Sequence, residues 1–474
     1  MDEVKVGTTE RPLRAVVIGS GPSGFYAAEA LLKEQDLEVH VDLIDRLPTP
    51  FGLVRGGVAP DHQKIKGVTK VFDRVAHMPN FRFWGNVKLG HDVLVDDLHQ
   101  HYDVIIYAVG NESDHAMGIP GEDLGGSHAA TEFVGWYNGH PDHREHAFDL
   151  SCERVAVVGI GNVAMDVTRI LAEDVDVLAK TDIAEHAVTA LRKSKVKEVI
   201  LLGRRGPLQA AFSPAEIKEI ADLSCSDLVV TPEDAQLDAA SQGTLEAADK
   251  AKQKNVAFLA EQAQKGEGQE ARKVRLRLCV SPVELLGEGG KVTQVKIEKN
   301  ALHLEEKTGR IRPKGTGEFE TIDVGMVLRS VGYFGVKIPG VSFDEKKGRI
   351  PNLEGRVTMA DWQTPIAGEY VVGWAKRGPS GLIGTNRADS VETVKRILDD
   401  WRGKEVPYDS DKTAPAAQNM LLKKQPNHIH FEDWEYLDQL EQELGKKQGK
   451  VRAKFTDVQA MLDALKAAKR ADPC

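Results

Sequence analysis

Gly19, Gly21 and Gly24 stand at the spacing G-x-G-x-x-G, and Gly159, Gly161 and Ala164 repeat the pattern later in the chain. In such a turn the first glycine makes the bend and the second lets a diphosphate touch the backbone. The third small residue lets the next helix pack closely. The phosphates then meet a helix N-terminus, where unpaired N–H groups and the macrodipole favour negative charge. The two loops are followed by opposite charges. Asp45, about 20 residues past the first loop, can accept hydrogen bonds from both hydroxyls of a ribose and repels a 2′-phosphate. The first ligand is therefore FAD or NAD, not NADP. Arg204 and Arg205 stand at the matching place after the second loop. Two guanidiniums suit a 2′-phosphate through charge-assisted, bidentate hydrogen bonds, which points to NADPH.

The surrounding residues have the pattern these loops require. Leu13 to Ile18 is a β-branched apolar run, as expected of a buried parallel strand, and Phe25 to Leu32 reads as part of the helix that follows the loop. Val39 to Ile44 is the strand that delivers Asp45. Around the second loop, Arg154 to Val158 reads as a strand, Met165 to Leu171 as a helix, and Val199 to Leu202 as the strand before the arginines. A third glycine-rich stretch runs from Tyr370 through Gly373, Gly378, Gly381 and Gly384 into a helix with apolar spacing Val391, Val394, Ile397, Leu398 and Trp401. Its N-terminus could face a flavin pyrimidine and stabilise negative charge on the reduced ring. Tyr107 to Gly110 and Arg329 to Tyr333 read as paired linkers around an insertion. The expected fold class is α/β, with two Rossmann-like dinucleotide-binding domains, the NADP domain inserted into the FAD domain. Residues 1–111 form the first part of the FAD domain, 112–333 the NADP domain, and 334–474 the second part with a C-terminal helical tail. Residues 235–275 are polar, alanine-rich and helix-prone, and are assigned no chemistry.

Composition agrees with this class and excludes others. At roughly 150 residues per domain, 474 residues suggest two or three domains. The 62 basic and 72 acidic side chains give a net charge of −10, which argues against nucleic acid as a partner. Asp2 and Glu3 and the lack of an early apolar segment argue against a targeting peptide. No uncharged apolar run approaches the ~18 residues that span a bilayer. Cys152, Cys225, Cys279 and Cys474 are far apart and form no CxxC, so a redox disulfide motif, an iron–sulfur site and a zinc ribbon all lose their usual signature, and no metal is expected. The expected location is cytoplasmic, with no membrane attachment.

The longer stretches resemble one family, the adrenodoxin reductase-like NADPH–ferredoxin reductases among the glutathione-reductase-like flavoproteins. The resemblance rests on Gly19 to Tyr26, Pro50-Phe51-Gly52-Leu53-Val54-Arg55 through His62, Phe83 to Val87, and Phe133 to Gly139. Gly203-Arg204-Arg205-Gly206-Pro207-Leu208-Gln209, Gly373 to Gly381 and the tail from Phe431 extend it over nearly the whole chain. It implies that Ser23, Asp45, Leu53 and Leu89 line the adenosine half of FAD, and that Trp374, Gly381, Leu382 and Ile383 meet its isoalloxazine end. It further implies that Ile160, Gly161, Asn162 and Val163 hold the NADP pyrophosphate and that Glu216 approaches the nicotinamide side. His62 and Glu219 are implied as a polar pair near the flavin, and as the candidate catalytic residues. Asp45 stands where the family more usually has glutamate, Asn111 where it often has alanine, and His115 where it often has arginine.

The implied activity is that of an FAD-dependent ferredoxin–NADP(+) reductase. Hydride passes from NADPH to FAD, and single electrons then pass to a ferredoxin-type iron–sulfur protein. Hydride transfer needs alignment more than a proton-transfer group, so His62 and Glu219 serve as flavin electrostatics, proton exchange or packing. Ferredoxins of this type are usually acidic, and Lys64, Lys66, Lys193, Lys195, Lys197 and Arg377 are candidates for a basic docking face. Two other readings remain: an NADPH-dependent flavin oxidase or monooxygenase, and a non-catalytic FAD/NADP-binding redox subunit.

Overall fold

The computed structural model describes residues 3–471 except 306 and 308; Met1, Asp2 and Cys474 lie outside the described residues. The chain opens with β1 (Leu13–Ile18), α1 (Pro22–Leu32), β2 (Val39–Ile44), β3 (Phe81–Trp84) and β4 (Val104–Tyr107). All six residues of β1 are buried, which suits its β-branched composition. It then leaves this sheet for β5 (Ser127–Ala129), α2 (Ala130–Asn138), β6 (Arg154–Val158), α3 (Asn162–Ala172), β7 (Glu198–Gly203), α4 (Pro214–Ala221), β8 (Ser226–Val230) and α5 (Lys250–Gln262). β9 (Arg272–Leu278) follows, then the antiparallel arm β10 (Val280–Glu288), β11 (Lys291–Glu305) and β12 (Arg310–Asp323), then β13 (Met326–Arg329). The chain returns through β14 (Asn352–Leu353), β15 (Arg356–Thr358) and β16 (Pro365–Val371) to α6 (Ile383–Trp401), α7 (Phe431–Lys447) and α8 (Val458–Ala471).

Two large sheets result, each with a parallel centre. One has the order β14-β15-β16-β4-β1-β2-β3, built from the first and last thirds of the chain; the other, β8-β9-β7-β6-β13-β5, comes from the middle. The middle unit is thus inserted into the first. At the crossover, Ser113–Asp114 pairs antiparallel with Tyr333–Phe334, so the outgoing and returning segments lie side by side.

Buried charges are paired where they interrupt apolar strands. Asp42 in β2 accepts from Arg14 (2.8 Å), Arg82 (2.7 and 2.9 Å) and the Tyr102 hydroxyl (2.8 Å). Burial pushes its carboxyl up, but Arg82 and Arg14 outweigh this and hold it below the usual range. The C-terminal segment fastens both units. Glu441, fully buried on α7, takes Arg55 (2.8 and 2.5 Å) and Arg452 (3.1 Å). Lys454 reaches Asp182 (3.1 Å) and the carbonyls of Arg55 (3.2 Å) and Asn138 (3.1 Å).

Candidate functional site

Both glycine loops open on one cleft of about 2050 Å³ between the sheets. A single small-molecule site is usually 300 to about 1,000 Å³, so the cleft has room for two large ligands.

On the first side, Gly19 has φ +107° and its N–H donates to the Ile44 carbonyl (2.8 Å), which carries the β1–β2 ladder one residue past β1 before the chain turns into α1. A Cβ on Gly24 would meet the Gly19 carbonyl, so that glycine serves packing and does not line the cleft. A Cβ on Gly21 would meet nothing within 4 Å: the space over this loop is open. Asp45 is fixed before any ligand arrives, one oxygen accepting from the Leu47 N–H (2.9 Å) and the other from the Ser20 N–H (2.8 Å) and hydroxyl. Ser23, Leu53 and Leu89 line the same part of the cleft. So does Asn111, only 2% exposed, with neither amide atom bonded within the protein. A buried amide without partners is costly unless a ligand supplies them.

The third glycine stretch closes this side. Gly373 follows β16 with φ +69°, packs against Ser23, and donates its N–H to Asp389 (2.5 Å). Trp374 donates its indole N–H to the Ser380 carbonyl (3.2 Å) and packs 5.2 Å from the Tyr333 ring. Gly381 (φ +79°), Leu382 and Ile383 line the cleft where α6 begins; Leu382, its N-cap, is 68% exposed.

On the other side, Gly159 (φ +131°) donates to the Leu202 carbonyl (2.9 Å), and a Cβ on Gly161 would again meet open space. Ile160 accepts from the Ala211 N–H (3.1 Å), and the Asn162 side chain accepts from the Ser213 N–H (2.9 Å), tying the loop to the start of α4. Ile160 and Val163 also pack on the core beneath. Arg204 and Arg205 line the cleft beyond β7, and neither has an ion pair among the described residues. Burial and the charges of Arg204 and Arg312 lower the pKa of Arg205. Arg312 is paired with Glu305 (3.4 Å), whereas Arg204 and Arg205 keep their charges unpaired among the described residues and are arranged for an anion.

Between the sides sits a polar cluster. His62 Nε2 lies 2.8 Å from Glu219 Oε2, and its Nδ1 is 3.7 Å from Asp166. Arg169, 3% exposed, donates to Asp61 (2.6 and 3.1 Å), Asp166 (2.7 Å) and Glu216 (3.3 Å), and lies 3.5 Å from Glu219. Burial raises Glu216 to about 7, and the charge of Asp166 adds to the rise. Against burial, Arg169 holds Asp61 below the usual carboxylate range. His62, Asp166 and Glu216 line the cleft; Glu219, half exposed, reaches it through His62.

Sequence reasoning missed Arg169, Asp166 and Asp61, although the i, i+3 pairs Asp166/Arg169 and Glu216/Glu219 are the local trace of the cluster. It also set aside residues 235–275. There Asp249, Ala251, Lys252 and Asn255, at the start of α5, line the cleft. Asn255 donates to the Phe212 carbonyl (2.9 Å) and leaves its buried Oδ1 without a partner.

Residues 13–222 match the family model described as pyridine nucleotide-disulphide oxidoreductase. The chain is 43% identical over 460 residues to the NADPH-ferredoxin reductase FprA of Mycobacterium tuberculosis, covering 95% of this chain and 99% of that one. It is 40% identical over 468 residues to the mitochondrial NADPH:adrenodoxin oxidoreductase of Arabidopsis thaliana, covering 96% of each. The solved structure of Mycobacterium tuberculosis FprA in complex with NADPH superposes with a TM-score of 0.88 at 42% identity, over 96% of this chain and all of that one.

Proposed function

Because the chain belongs to the NADPH–ferredoxin reductases, the adrenodoxin reductase-like branch of the pyridine nucleotide-disulphide oxidoreductases, we propose that its first loop and third glycine stretch hold FAD and its second loop and arginine pair hold NADPH, head to head in one cleft. The enzyme is an FAD-dependent NADPH–ferredoxin oxidoreductase, and its redox partner is a ferredoxin-type iron–sulfur protein. The observation that carries the residue assignment is the charge asymmetry of the cleft: a pre-bonded Asp45 at one end and unpaired Arg204 and Arg205 at the other. When bound, NADPH supplies a hydride to the flavin, which passes the electrons on one at a time.

The chain's own contributions are binding, alignment and charge. Gly21 and Gly161 leave open backbone for two pyrophosphates, and Ser23, Leu53, Leu89 and Asn111 form the wall on the FAD side. Trp374, Gly381, Leu382 and Ile383 form the flavin end, where the free N–H groups at the start of α6 favour negative charge. Ile160, Asn162, Val163 and Glu216 form the NADPH wall. His62 and Glu219 act as a hydrogen-bonded pair at the junction, available to exchange a proton, with Arg169 fixing the surrounding carboxylates. The FAD domain comprises 1–111 and 334–474 and the NADP domain 112–333; the pairing of Ser113–Asp114 with Tyr333–Phe334 supports these limits.

The iron–sulfur partner is acidic in this reading. Lys64, Lys193 and Lys195 are exposed and without an ion pair among the described residues, and are available to it. Lys66 is committed to Asp182 (2.7 and 2.8 Å), Lys197 to Glu153 (2.6 Å), and Arg377 to the Ser380 carbonyl and Asn386. Among the described residues no helix is long and apolar enough to cross a membrane, and Cys152, Cys225 and Cys279 are free thiols, which supports a cytoplasmic location. The test is reoxidation of the NADPH-reduced enzyme by an acidic ferredoxin at increasing salt. Two ferredoxins reduced per NADPH, at a rate that falls with salt, is the expected result. A reduced enzyme that ferredoxin cannot reoxidise refutes the electron path, and a flat salt profile refutes the acidic-partner reading.

A further inference from the structure

Arg46, the residue after Asp45, lines the first side of the cleft together with Glu112 and Asp142. Its guanidinium is held along its edges. Nε and one terminal nitrogen donate to the two oxygens of Glu112 (3.3 and 3.2 Å), and the other terminal nitrogen lies 2.8 Å from Asp142. Hydrogen bonds in the plane leave the two faces of the group for stacking. The Arg46 side chain is 25% exposed, and Glu112 and Asp142 are about half exposed.

The order of the strands sets what this bridge spans. β1 lies between β2 and β4, and the three run parallel. Arg46 stands just past the end of β2 and Glu112 past the end of β4, so their ion pair spans the end of β1, where the first glycine loop begins. In a sheet of this kind the ligand lies in the crevice outside the carboxyl ends of the strands. A dinucleotide with its phosphates at Gly21 and its ribose on Asp45 has its base beyond Asp45, beside Arg46. Apolar Val87 and Leu89 line the cleft next to this segment. Their strand end is fixed to it by the Val87 N–H on the Asp45 carbonyl (2.9 Å) and the Asn86 N–H on the Leu47 carbonyl (3.0 Å).

Charge decides which part of the ligand suits Arg46. Glu112, Asp142 and Asp45 all act on this one guanidinium, so it is not left free for a phosphate as Arg204 and Arg205 are. A neutral aromatic plane fits it better, because a guanidinium is weakly hydrated and stacks on aromatic faces.

We propose that the Arg46 guanidinium, held flat by Glu112 and Asp142, packs face-on against the adenine of FAD and thereby selects this flavin over FMN, which has no adenine. The proposal rests on the reading that the first glycine loop holds FAD. Glu112 and Asp142 are positioning residues, and both belong to the NADP-domain side of the junction, so the bridge also ties the two units together at the adenine end.

The test is flavin binding by the full-length protein and by Arg46→Met. FAD release from the loaded protein is followed by the recovery of flavin fluorescence, and the emptied protein is then titrated with FAD and with FMN. Wild type should bind FAD more tightly than FMN. Arg46→Met should release FAD about tenfold faster and lose about tenfold of that preference, with FMN affinity unchanged. Glu112→Gln, at a half-exposed side chain, should shift the preference the same way by a smaller factor, and it serves if Arg46→Met does not fold. Equal losses for FAD and FMN, or a preference that Arg46→Met leaves unchanged, overturn the proposal while FAD keeps its place on the Asp45 side; the bridge is then a tie between the two units alone. A wild-type protein that binds FMN as tightly as FAD overturns the reading of the first loop, and the proposal with it.

Discussion

Replacing Arg205 by alanine should separate the two nicotinamide cofactors. Neither Arg204 nor Arg205 has an ion pair among the described residues, so no salt bridge is lost with the side chain. The like charges of Arg204 and Arg312 already act on Arg205, so its removal relieves repulsion and should leave the fold intact. What is lost is its hydrogen bonding to a doubly charged phosphate, worth about 1.5–3 kcal/mol for a charged group. That corresponds to roughly 10- to 150-fold in Kd. The assay is calorimetric titration of the oxidised, FAD-loaded protein with NADP⁺ and with NAD⁺, which avoids turnover. NADP⁺ affinity should fall by that factor, and NAD⁺, which lacks the 2′-phosphate, should bind as before. Arg205→Lys should fall between, because an ammonium keeps the charge but not the fork. Equal losses for both cofactors would refute the assignment of the arginines to the 2′-phosphate.

Other perturbations follow from the same geometry. Gly161→Ala should leave melting temperature and FAD content unchanged while weakening NADP⁺ at least tenfold, as the added methyl meets only the open space over the loop; Gly159→Ala, at φ +131° and against the Ser330 carbonyl, should lower the yield of folded protein. A melting temperature for Gly161→Ala as depressed as that of Gly159→Ala would contradict the distinction. Glu216, raised to about 7 by burial, holds a proton in the folded state that the unfolded chain has released by pH 6. Stability of the NADP-free enzyme should therefore fall as pH rises from 6 to 8, and Glu216→Gln should flatten that slope. An unchanged slope in thermal melts would rule out Glu216 as its source. Glu441→Ala leaves Arg55 and Arg452 without their buried carboxylate and should cost about 3–5 kcal/mol in urea unfolding; a loss under 1 kcal/mol would show that the C-terminal clamp contributes little.

The parts of the molecule legible in the sequence are those whose cause is local. Gly19 and Gly159 need positive φ within a few residues of a buried strand, and Asp45 follows directly from the strand that carries it, so spacing alone reveals them. Arg169 is different. Asp166 is local, three residues before it on α3, but Asp61 and Glu216 come from separate segments, and only the packing of α3 against α4 and the 58–62 loop brings them to Arg169. The start of α5 was hidden for the same reason: polar and alanine-rich, it reads as a solvated helix, while its burial comes from the contact of Asn255 with Phe212. Lys66 shows the converse error, since a cation that looks free in sequence is matched by Asp182, 116 residues away. Asp42 would similarly look misplaced in an apolar strand until Arg14, Arg82 and Tyr102 are seen around it.

The central claim is that one cleft holds FAD on the Asp45 side and NADPH on the arginine side, close enough for hydride to pass. Anaerobic rapid mixing of the yellow, FAD-loaded protein with NADPH, and separately with NADH, tests it most directly by following the flavin absorbance near 450 nm (an approximate flavin band). The account predicts fast, complete bleaching with NADPH and, at equal concentration, bleaching slower by at least tenfold with NADH. A flavin that NADPH does not bleach would contradict the shared cleft, and equal rates with both cofactors would contradict the role of its charged ends.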